Sequence, residues 1–411
     1  MKRIKVRFLF LAVVLVLSSC SASSQMSAKT LNLMANITAA PLTDAAVTDE
    51  FITASADMSL ELFKNALDRE KNSLISPTSV LLALAMTANG ADGETLAQME
   101  ATLGGLSIDK LNEYLYAYVK GLSNEEKAKL AIANSIWIKD DDNFKVLDSF
   151  LQTNANYYGA AAYKADFSDL KTVDDINNWI KANTMNMVDD VLDQIPSDAV
   201  MYLVNAVAFD AEWKYQFNAK LNSEQTFTTY SGEEKPVEFM HNEDGNYLIS
   251  GEKVTGVVRY YKGDKYKFVA LMPDESIDLY DYINSLDGVT FVSIVKNVST
   301  SATLNIPKFE TTYTNELSDE LKAMGMTDAF DVEKADLSKI TGENNLYIGR
   351  VLHKAYIRVD EKGTKAGAAT AVEILCKGIP QVISLNRPFV YAIVDSETNL
   401  PIFIGTQIDF E

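Results

Sequence analysis

The chain has 411 residues, a formal net charge of −20 and a pI near 4.6. Nucleic-acid binding is not expected of so acidic a chain, because it depends on a basic surface that meets phosphates, and neither is attachment to anionic lipid by charge alone. The apolar content of 47% excludes a disordered chain, and two cysteines cannot build a disulfide framework.

The first residues have the pattern of a targeting signal. Four basic residues among the first seven precede an unbroken apolar run from Phe8 to Leu17. This run is too short for a membrane span, which needs about 20 residues. It ends in Ser18-Ser19-Cys20, which resembles the box of bacterial lipoproteins, where the cysteine becomes the lipidated first residue. We therefore predict a signal peptide at residues 1–19 and a lipid anchor at Cys20, with ordinary cleavage and secretion as the alternative.

These predictions imply a location in a bacterial cell envelope, at the outer membrane or surface, or secretion. The lipid at Cys20 would be the only link to a membrane. Residues 20–45 are rich in Ser, Ala, Thr and Asn with weak periodicity, and this composition predicts a flexible tether. No second linker and no internal repeat follows, so residues 46–411 are predicted to form a single domain.

Hydrophobic spacing in this domain predicts helices early and strands late. Helices are predicted at Ala56–Asp68, Val80–Ala88, Asp174–Val188 and Asn315–Met324. Strands are predicted at Met201–Phe209, Lys267–Met272, Ala302–Ile306, Tyr356–Val359 and Phe389–Val394. The two kinds of element do not alternate regularly, so an α+β fold is favoured over a doubly wound sheet.

Catalytic motifs are missing from the sequence. It contains two histidines, and it lacks the nucleophile elbow, the phosphate-binding loop and the dinucleotide-binding glycine pattern. A zinc site of the usual Cys/His kind is not supported either. We predict a protein that is not an enzyme and that uses no cofactor and no metal. His353 lies between apolar residues and is predicted to be a hydrogen-bonded core residue.

One segment, Glu361–Phe389, does not fit a finished fold. Every second residue from Thr364 to Cys376 is small or apolar, whereas the other phase holds both charges. This is a strand pattern with one face suited to a core, yet its Gly- and Ala-rich first half has poor strand propensity. Gly363 supplies a hinge at its start. The segment is therefore predicted to be a loop in one state and a strand in another; an ordinary edge strand or connector is the alternative.

The run EKGTKAGAAT, Glu361 to Thr370, resembles the hinge of the reactive-centre loop of serpins, whose usual run is EEGTEAAAAT. Further serpin-like motifs occur along the rest of the chain, in the order that the family has them. They lie at Asn72–Val80, Ala133–Trp137, Tyr157–Ala160, Ile176–Ile180, Leu203–Phe217, Ile306–Phe309, His353–Ala355, Asn386–Phe389 and Phe403–Gly405. Each motif is weak alone, but in this order they are specific. The sequence is identified as a member of the serpin family.

The resemblance implies an α+β serpin fold, with helices packed on a large mixed β-sheet, two further sheets and an exposed reactive-centre loop. It also implies a metastable monomer that inhibits a protease as a suicide substrate: the protease forms its acyl-enzyme, and the cleaved loop then inserts into the large sheet. Lys365 and Gly367 depart from the usual hinge, but they lie on the outward phase and little cost is expected. The alternatives are a non-inhibitory serpin that acts as a binding protein, a cross-class inhibitor of a cysteine protease, and an envelope lipoprotein that binds a small ligand.

Counting from Gly363 as the family does gives Lys377–Gly378 as the reactive bond. A lysine there needs an acidic specificity pocket, so the expected partner is a trypsin-like serine protease, held as a covalent acyl complex. Cleavage after Cys376 is the alternative. Cys376 itself is expected to be a small side chain that can be buried on insertion, with a redox switch as the other interpretation.

The resemblance implies three more sets of functional residues. The hinge would comprise Glu361, Gly363, Thr364, Ala366, Ala368 and Thr370. A polar cluster beneath the sheet that opens, the shutter, would comprise Ser76, Ser79, Asn205 and His353, unless these are four separately satisfied buried residues. Trp213 matches the residue of the breach, where the loop first enters the sheet, or is a generic core aromatic.

Overall fold

The computed structural model describes residues 26–27, 29–43, 45–122, 127–188, 192–196, 199–299, 302–364 and 381–410. Across these ranges, no helix is long and apolar enough to cross a membrane. The α-helices are α1 (Asp49–Asn65), α2 (Pro77–Ala88), α3 (Gly93–Thr102), α4 (Ile108–Gly121), α5 (Asp148–Tyr158), α6 (Leu170–Asn183), α7 (Leu279–Ser285), α8 (Gly288–Lys296), α9 (Ser318–Ala323) and α10 (Ser338–Thr341). Two short 3₁₀ turns lie at Ala219–Leu221 and Asp328–Phe330.

The strands concentrate in the second half of the chain. They are β1 (Leu31–Asn32), β2 (Leu74–Ile75), β3 (Ala128–Lys139), β4 (Ala161–Ala165), β5 (Met201–Glu212), β6 (Ser223–Thr228), β7 (Glu234–Asn242), β8 (Asn246–Ser250), β9 (Val254–Tyr260), β10 (Tyr266–Pro273), β11 (Ala302–Pro307), β12 (Phe309–Glu316), β13 (Arg350–Val359), β14 (Gly363–Thr364), β15 (Gln381–Ser384), β16 (Phe389–Asp395) and β17 (Pro401–Gln407).

The described strands form three sheets. The large sheet has the order β1-β4-β3-β5-β13-β12, with β14 paired to β5; a second sheet has the order β2-β17-β16-β10-β9-β8, and a third β15-β11-β7-β6. The large sheet is mixed, because β3–β4 and β5–β13 are parallel pairs while β3–β5 and β12–β13 are antiparallel. The predicted α+β class, with a large mixed sheet and two smaller ones, is confirmed.

Both faces of the large sheet are covered. On one face lies α2, whose residues are all buried and which packs against β5 and β17. On the other face α6 packs Ile176, Trp179 and Ile180 into an apolar cluster with residues of β3, β4 and β5. A new strand that entered the large sheet beside β5 would therefore be covered by a packed helix layer on each face.

Some predicted boundaries are wrong. The helix predicted at Asp174–Val188 begins earlier, at Leu170, and ends earlier, at Asn183. It cannot extend to Val188 because Met185 and Asn186 adopt left-handed φ angles of 55° and 57°. The helix predicted from Asn315 starts only at Ser318, because Asn315 and Glu316 are the last residues of β12.

The prediction of a tether at residues 20–45 is wrong for its described part. The backbone N–H of Ser27 and the hydroxyl of Thr30 donate to the Asp175 carboxylate on α6, at 2.9 and 2.5 Å. Leu31–Asn32 pairs with β4 as an edge strand of the large sheet. The polar composition suggested a free chain, but its hydrogen-bonding groups are used against the domain.

Candidate functional site

An opening lies between β5 and β13 at one end of the large sheet. The two strands pair in parallel from Tyr202↔Arg350 up to Ala208↔Tyr356, and beyond this point their pairing stops. The chain leaves β13, turns at residues 360–362 and returns as β14, whose Gly363 and Thr364 pair antiparallel with Glu212 and Ala211. Because β3 occupies the other edge of β5 at Ala211, β14 lies on the side from which β13 has departed.

The start of the predicted inserting segment is thus already part of the sheet. Thr364 has an exposed fraction of 0%, which corrects the expectation that the hinge enters the sheet only after cleavage. Gly363 has φ +151°, and a Cβ atom added there would lie 2.0 Å from the Ala211 carbonyl oxygen and 2.7 Å from the Glu212 Cα. The glycine is required by this close approach of two backbones.

The turn at residues 360–362 is held by its three successive carbonyls. The Asp360 carbonyl accepts from the indole N–H of Trp213, and the Lys362 carbonyl accepts from the Trp213 backbone N–H, both at 2.8 Å. The Glu361 carbonyl accepts from the Phe217 backbone N–H at 2.8 Å. Trp213 is therefore in contact with the hinge itself, which is the position expected of the breach residue.

Tyr261 completes this end of the site, and no motif pointed to it. Its ring stacks on Trp213 with centroids 4.4 Å apart and an interplanar angle of 11°, and its hydroxyl lies 3.0 Å from the Thr364 Oγ1. Burial raises the pKa of Tyr261 well above its ordinary value, so the hydroxyl stays protonated and can act as donor or acceptor.

Glu361 ties the turn to the neighbouring sheet. Its carboxylate accepts from the Asn222 side-chain amide at 2.6 Å and pairs with Lys308 at 3.1 Å. Burial alone would raise the pKa of Glu361, but hydrogen bonds from its own backbone, Lys308 and Asn222 outweigh burial and lower it. The carboxylate is therefore charged at neutral pH and holds the turn through Asn222 and Lys308.

The shutter residues come together beneath the paired part of β5 and β13. The His353 Nε2 accepts from the Ser76 backbone N–H at 3.1 Å, so the other ring nitrogen carries the proton and donates to the Asn205 Oδ1 at 2.7 Å. The Asn205 amide donates to the Ser79 carbonyl at 2.7 Å and also to the Ser79 hydroxyl. Asn134, which lies in the Ala133–Trp137 motif but was not predicted to belong to the shutter, accepts from the same amide at 2.5 Å.

This network replaces the alternative of four separately satisfied residues. Burial lowers the pKa of His353 to about 4, so the ring is neutral at physiological pH, as its two hydrogen bonds require. Ser76 contributes its backbone N–H only, since its buried hydroxyl has no hydrogen-bond partner among the described residues. The His353–Asn205 bond spans the boundary between β13 and β5, which is where a new strand would have to enter.

The motifs along this site agree with comparisons to known proteins. The family model described as Serpin (serine protease inhibitor) matches residues 53–410. The chain belongs to the serpin family. It is 32% identical to the alpha-1-antitrypsin homolog of Cyprinus carpio over 76% of this chain and 85% of that protein. It is 27% identical to human neuroserpin over 86% of this chain and 90% of that protein.

Solved serpin structures agree with the fold. The chain is similar to the thermophilic serpin tengpin in its native state, with a TM-score of 0.89, 50% identity and coverage of 93% of this chain and 100% of that one. Against tengpin in its latent state the TM-score is 0.80, at 50% identity and coverage of 90% and 100%. Serpins are usually protease inhibitors, although the same fold occurs in thyroxine-binding globulin, solved with thyroxine, at 23% identity.

The remaining predicted serpin residues lie outside the described part of the chain. These are Cys20, Lys365, Ala366, Gly367, Ala368, Thr370, Cys376, Lys377 and Gly378. Within the described residues, no group of three or more His, Cys, Asp or Glu side chains could hold a metal ion. The described site thus consists of a held hinge, an opening beside β5 and a polar network below it.

Proposed function

We propose that this serpin is a suicide-substrate inhibitor of trypsin-like serine proteases, with Lys377–Gly378 as its reactive bond. The observation that carries the proposal is the pairing of Gly363 and Thr364 with β5. The first two residues of the inserting strand occupy the sheet in an antiparallel register that the rest of the loop can continue.

The register fixes where each loop residue would arrive. In an antiparallel pair the two residue numbers have a constant sum, so Ala366, Ala368 and Thr370 would face Phe209, Val207 and Asn205. These three β5 residues are fully buried on the face toward α2. The inward-facing loop residues therefore have small side chains where they would meet the packed core, and a polar side chain, that of Thr370, where they would meet the shutter.

The outward-facing side chains of the loop also have a physical reason to be small. Gly367 and Ala369 would face Ala208 and Ala206, which belong to the apolar cluster under α6. In this proposed register the outward residues at these positions would also meet a buried surface. Glycine and alanine are the side chains that such a narrow space admits, so the weak strand propensity of this stretch is what insertion under α6 requires.

Insertion would convert the exposed loop into a central strand of the large sheet, the strand addition described for serpin reactive loops. The new strand would separate β5 from β13 and exchange the His353–Asn205 bond for contacts to Thr370. Two backbone ladders, one to β5 and one to β13, would replace the single ladder that now joins these strands, and the loop would bury apolar surface; both gains supply the driving force. The protease, still joined as an acyl-enzyme at Lys377, would be carried along before water releases it.

The test is a detergent gel of the protein with trypsin. We expect a boiling-resistant complex and a released peptide that begins with Gly378. Lys377→Ala should lower the inhibition rate by orders of magnitude. The reason is that the loss of a buried ion pair costs several kcal/mol, and about 1.4 kcal/mol corresponds to a tenfold change in rate. Cleavage without complex would indicate a non-inhibitory serpin. A complex with a cysteine protease alone would indicate the cross-class alternative, and a peptide that begins with Lys377 would move the bond to Cys376.

We also propose a lipid anchor at Cys20 in a bacterial cell envelope. It rests on the basic start, the short apolar run and the cysteine that follows it. The wild-type protein should partition into the detergent phase of a cloud-point extraction, while Cys20→Ala should remain in water. Equal partitioning of the two would favour ordinary secretion.

A further inference from the structure

Arg259 is a cation in the interior of the second sheet. It lies near the end of β9, between Val258 and Tyr260, and has an exposed fraction of 1%. Its guanidinium donates to the Asp244 carbonyl at 3.0 Å, to the Tyr215 carbonyl and to the Asn246 side-chain oxygen. All three acceptors are neutral. A charged residue placed in a core without a carboxylate as acceptor calls for a reason, since burial of a charge is costly.

Two aromatic rings lie against this cation. The guanidinium carbon is 4.2 Å from the ring centroid of Phe217 and 5.4 Å from that of Trp213. Cation–π attraction strengthens when the cation is withdrawn from water, as it is here. Burial lowers the pKa of Arg259 to about 9, which leaves the guanidinium charged at neutral pH. The cation and its hydrogen bonds thereby fix both rings and the segment that carries them.

These two aromatic residues are the ones that hold the hinge. The Trp213 and Phe217 N–H groups bind the carbonyls of residues 360, 361 and 362, each at 2.8 Å. Arg259 is therefore one contact removed from the whole hinge turn, although it lies in another sheet. The turn is the fixed end of the strand that would insert, so any yielding of the turn would shorten the displacement applied to an attached protease.

We propose that Arg259 is a positioning residue for loop insertion, which anchors the hinge turn through Trp213 and Phe217 while the strand enters the sheet. This rests on the proposed inhibitory function. Loss of the guanidinium should leave recognition and cleavage of the loop unchanged and slow the insertion that follows. More molecules would then be released as cleaved product before the protease is trapped.

A matched control exists on the adjacent strand. Lys267 on β10 is also a buried cation, with an exposed fraction of 4%, and donates to the Asn399 side-chain oxygen at 2.6 Å and to the Val295 carbonyl at 3.4 Å. Neither acceptor belongs to the hinge or to the segment that holds it. Lys267→Met removes a buried charge from the same sheet and should destabilise the fold without affecting the hinge.

The experiment compares Arg259→Met, Arg259→Lys and Lys267→Met with the wild type, using trypsin well below every melting temperature. The readouts are the rate of loop cleavage and the number of inhibitor molecules consumed per protease trapped. We expect Arg259→Met to raise that number by about an order of magnitude at an unchanged cleavage rate. Arg259→Lys, which keeps the charge without the planar fork, should be intermediate, and Lys267→Met should match the wild type.

The inference is overturned if Arg259→Met consumes no more inhibitor molecules per protease trapped than the wild type does. It is also overturned if Lys267→Met raises this number as much as Arg259→Met does. If Arg259→Met does not fold, Arg259→Lys against the wild type decides the same comparison. If the wild type forms no complex, the proposed function fails and the inference is decided by the gain in melting temperature after loop cleavage. A smaller gain in Arg259→Met than in Lys267→Met would support it, and equal gains would overturn it.

Discussion

The Tyr261 hydroxyl lies 3.0 Å from the Thr364 Oγ1, and both residues are fully buried. This contact joins Tyr261, which directly follows β9 of the second sheet, to Thr364. Thr364 is the first residue of the inserting strand that has a side chain, because Gly363 precedes it. Together with the pairing of Gly363 and Thr364 to β5, it holds the hinge in the sheet while the loop is intact. Insertion would then extend an existing strand, and the unfavourable first step of strand formation is already complete.

Tyr261→Phe should loosen the hinge while the rest of the fold is kept. The variant leaves the buried Thr364 hydroxyl without its partner, which costs about 1–2 kcal/mol. Because about 1.4 kcal/mol corresponds to tenfold, hydrogen exchange in a peptide covering residues 360–364 should accelerate by roughly an order of magnitude. The measurement is exchange followed by mass spectrometry on the intact protein.

Tyr282→Phe is the control for this variant. Tyr282 is buried, and its hydroxyl has no hydrogen-bond partner among the described residues, so its removal should leave exchange at the hinge unchanged. Identical exchange in residues 360–364 for Tyr261→Phe and the wild type would mean that the backbone pairing with β5 holds the hinge without the hydroxyl.

The sequence predicts the parts of this protein that are local or lie within a motif. The buried helix α2 follows from its continuous apolar run, and the shutter residues could be grouped through the family resemblance. Tyr261 and Arg259 could not be found in this way, because their importance comes from contacts with residues about 100 and 40 positions away that no spacing rule connects. The described part of the tether was missed because its polar groups find partners, such as Asp175, only in the folded domain.

His353 should make stability depend on pH. Burial lowers its pKa from 6.5 to about 4, so between these values the unfolded chain binds a proton that the folded protein does not. Stability therefore rises with pH across this window and is lost as pH falls below about 6.5. At 1.36 kcal/mol per unit, the loss between pH 7 and pH 5 is about 2 kcal/mol, visible as a lower melting temperature.

A second measurement isolates this residue. His353→Gln removes the titrating group, so the melting temperature should become less dependent on pH between 7 and 5, whatever the overall loss of stability. If His353→Gln retains the full slope, the titration that causes it lies elsewhere.

Ala366→Arg should convert the proposed inhibitor into a substrate. In the register continued from Gly363 and Thr364, residue 366 would face Phe209, which is fully buried, and an unpaired charge brought there by insertion costs several kcal/mol or more. Loop cleavage should proceed normally while the trapped complex is lost on the detergent gel. Lys365→Arg, one residue earlier, keeps its charge on the outward phase and should behave as the wild type. Retention of the complex by both variants, or its loss in both, would show that the loop enters in another register.

If the β5 register continues beyond Thr364, Lys365 would meet a specific partner in the inserted form. Continuing the pairing from Gly363↔Glu212 and Thr364↔Ala211 brings residue 365 opposite Asp210, which already faces Lys129 on its other side. The usual serpin glutamate at this position would meet an aspartate here, and opposed like charges across a strand pair are destabilising. In this register the lysine would suit the sheet better than the usual glutamate does.

Lys365→Glu should slow insertion, even though it restores the usual family residue. Cross-strand charge pairs contribute about 0.2–1 kcal/mol each, so reversing one should increase the inhibitor consumed per protease trapped by a few-fold, with the cleavage rate unchanged. Asp210→Asn removes the repulsion, so the double variant Lys365→Glu/Asp210→Asn should recover most of the loss, whereas Asp210→Asn alone should show a small deficit. If Lys365→Glu traps trypsin as efficiently as the wild type, or if Asp210→Asn gives no recovery, then residue 365 does not reach Asp210 and the register drawn from Gly363 and Thr364 does not continue along β5.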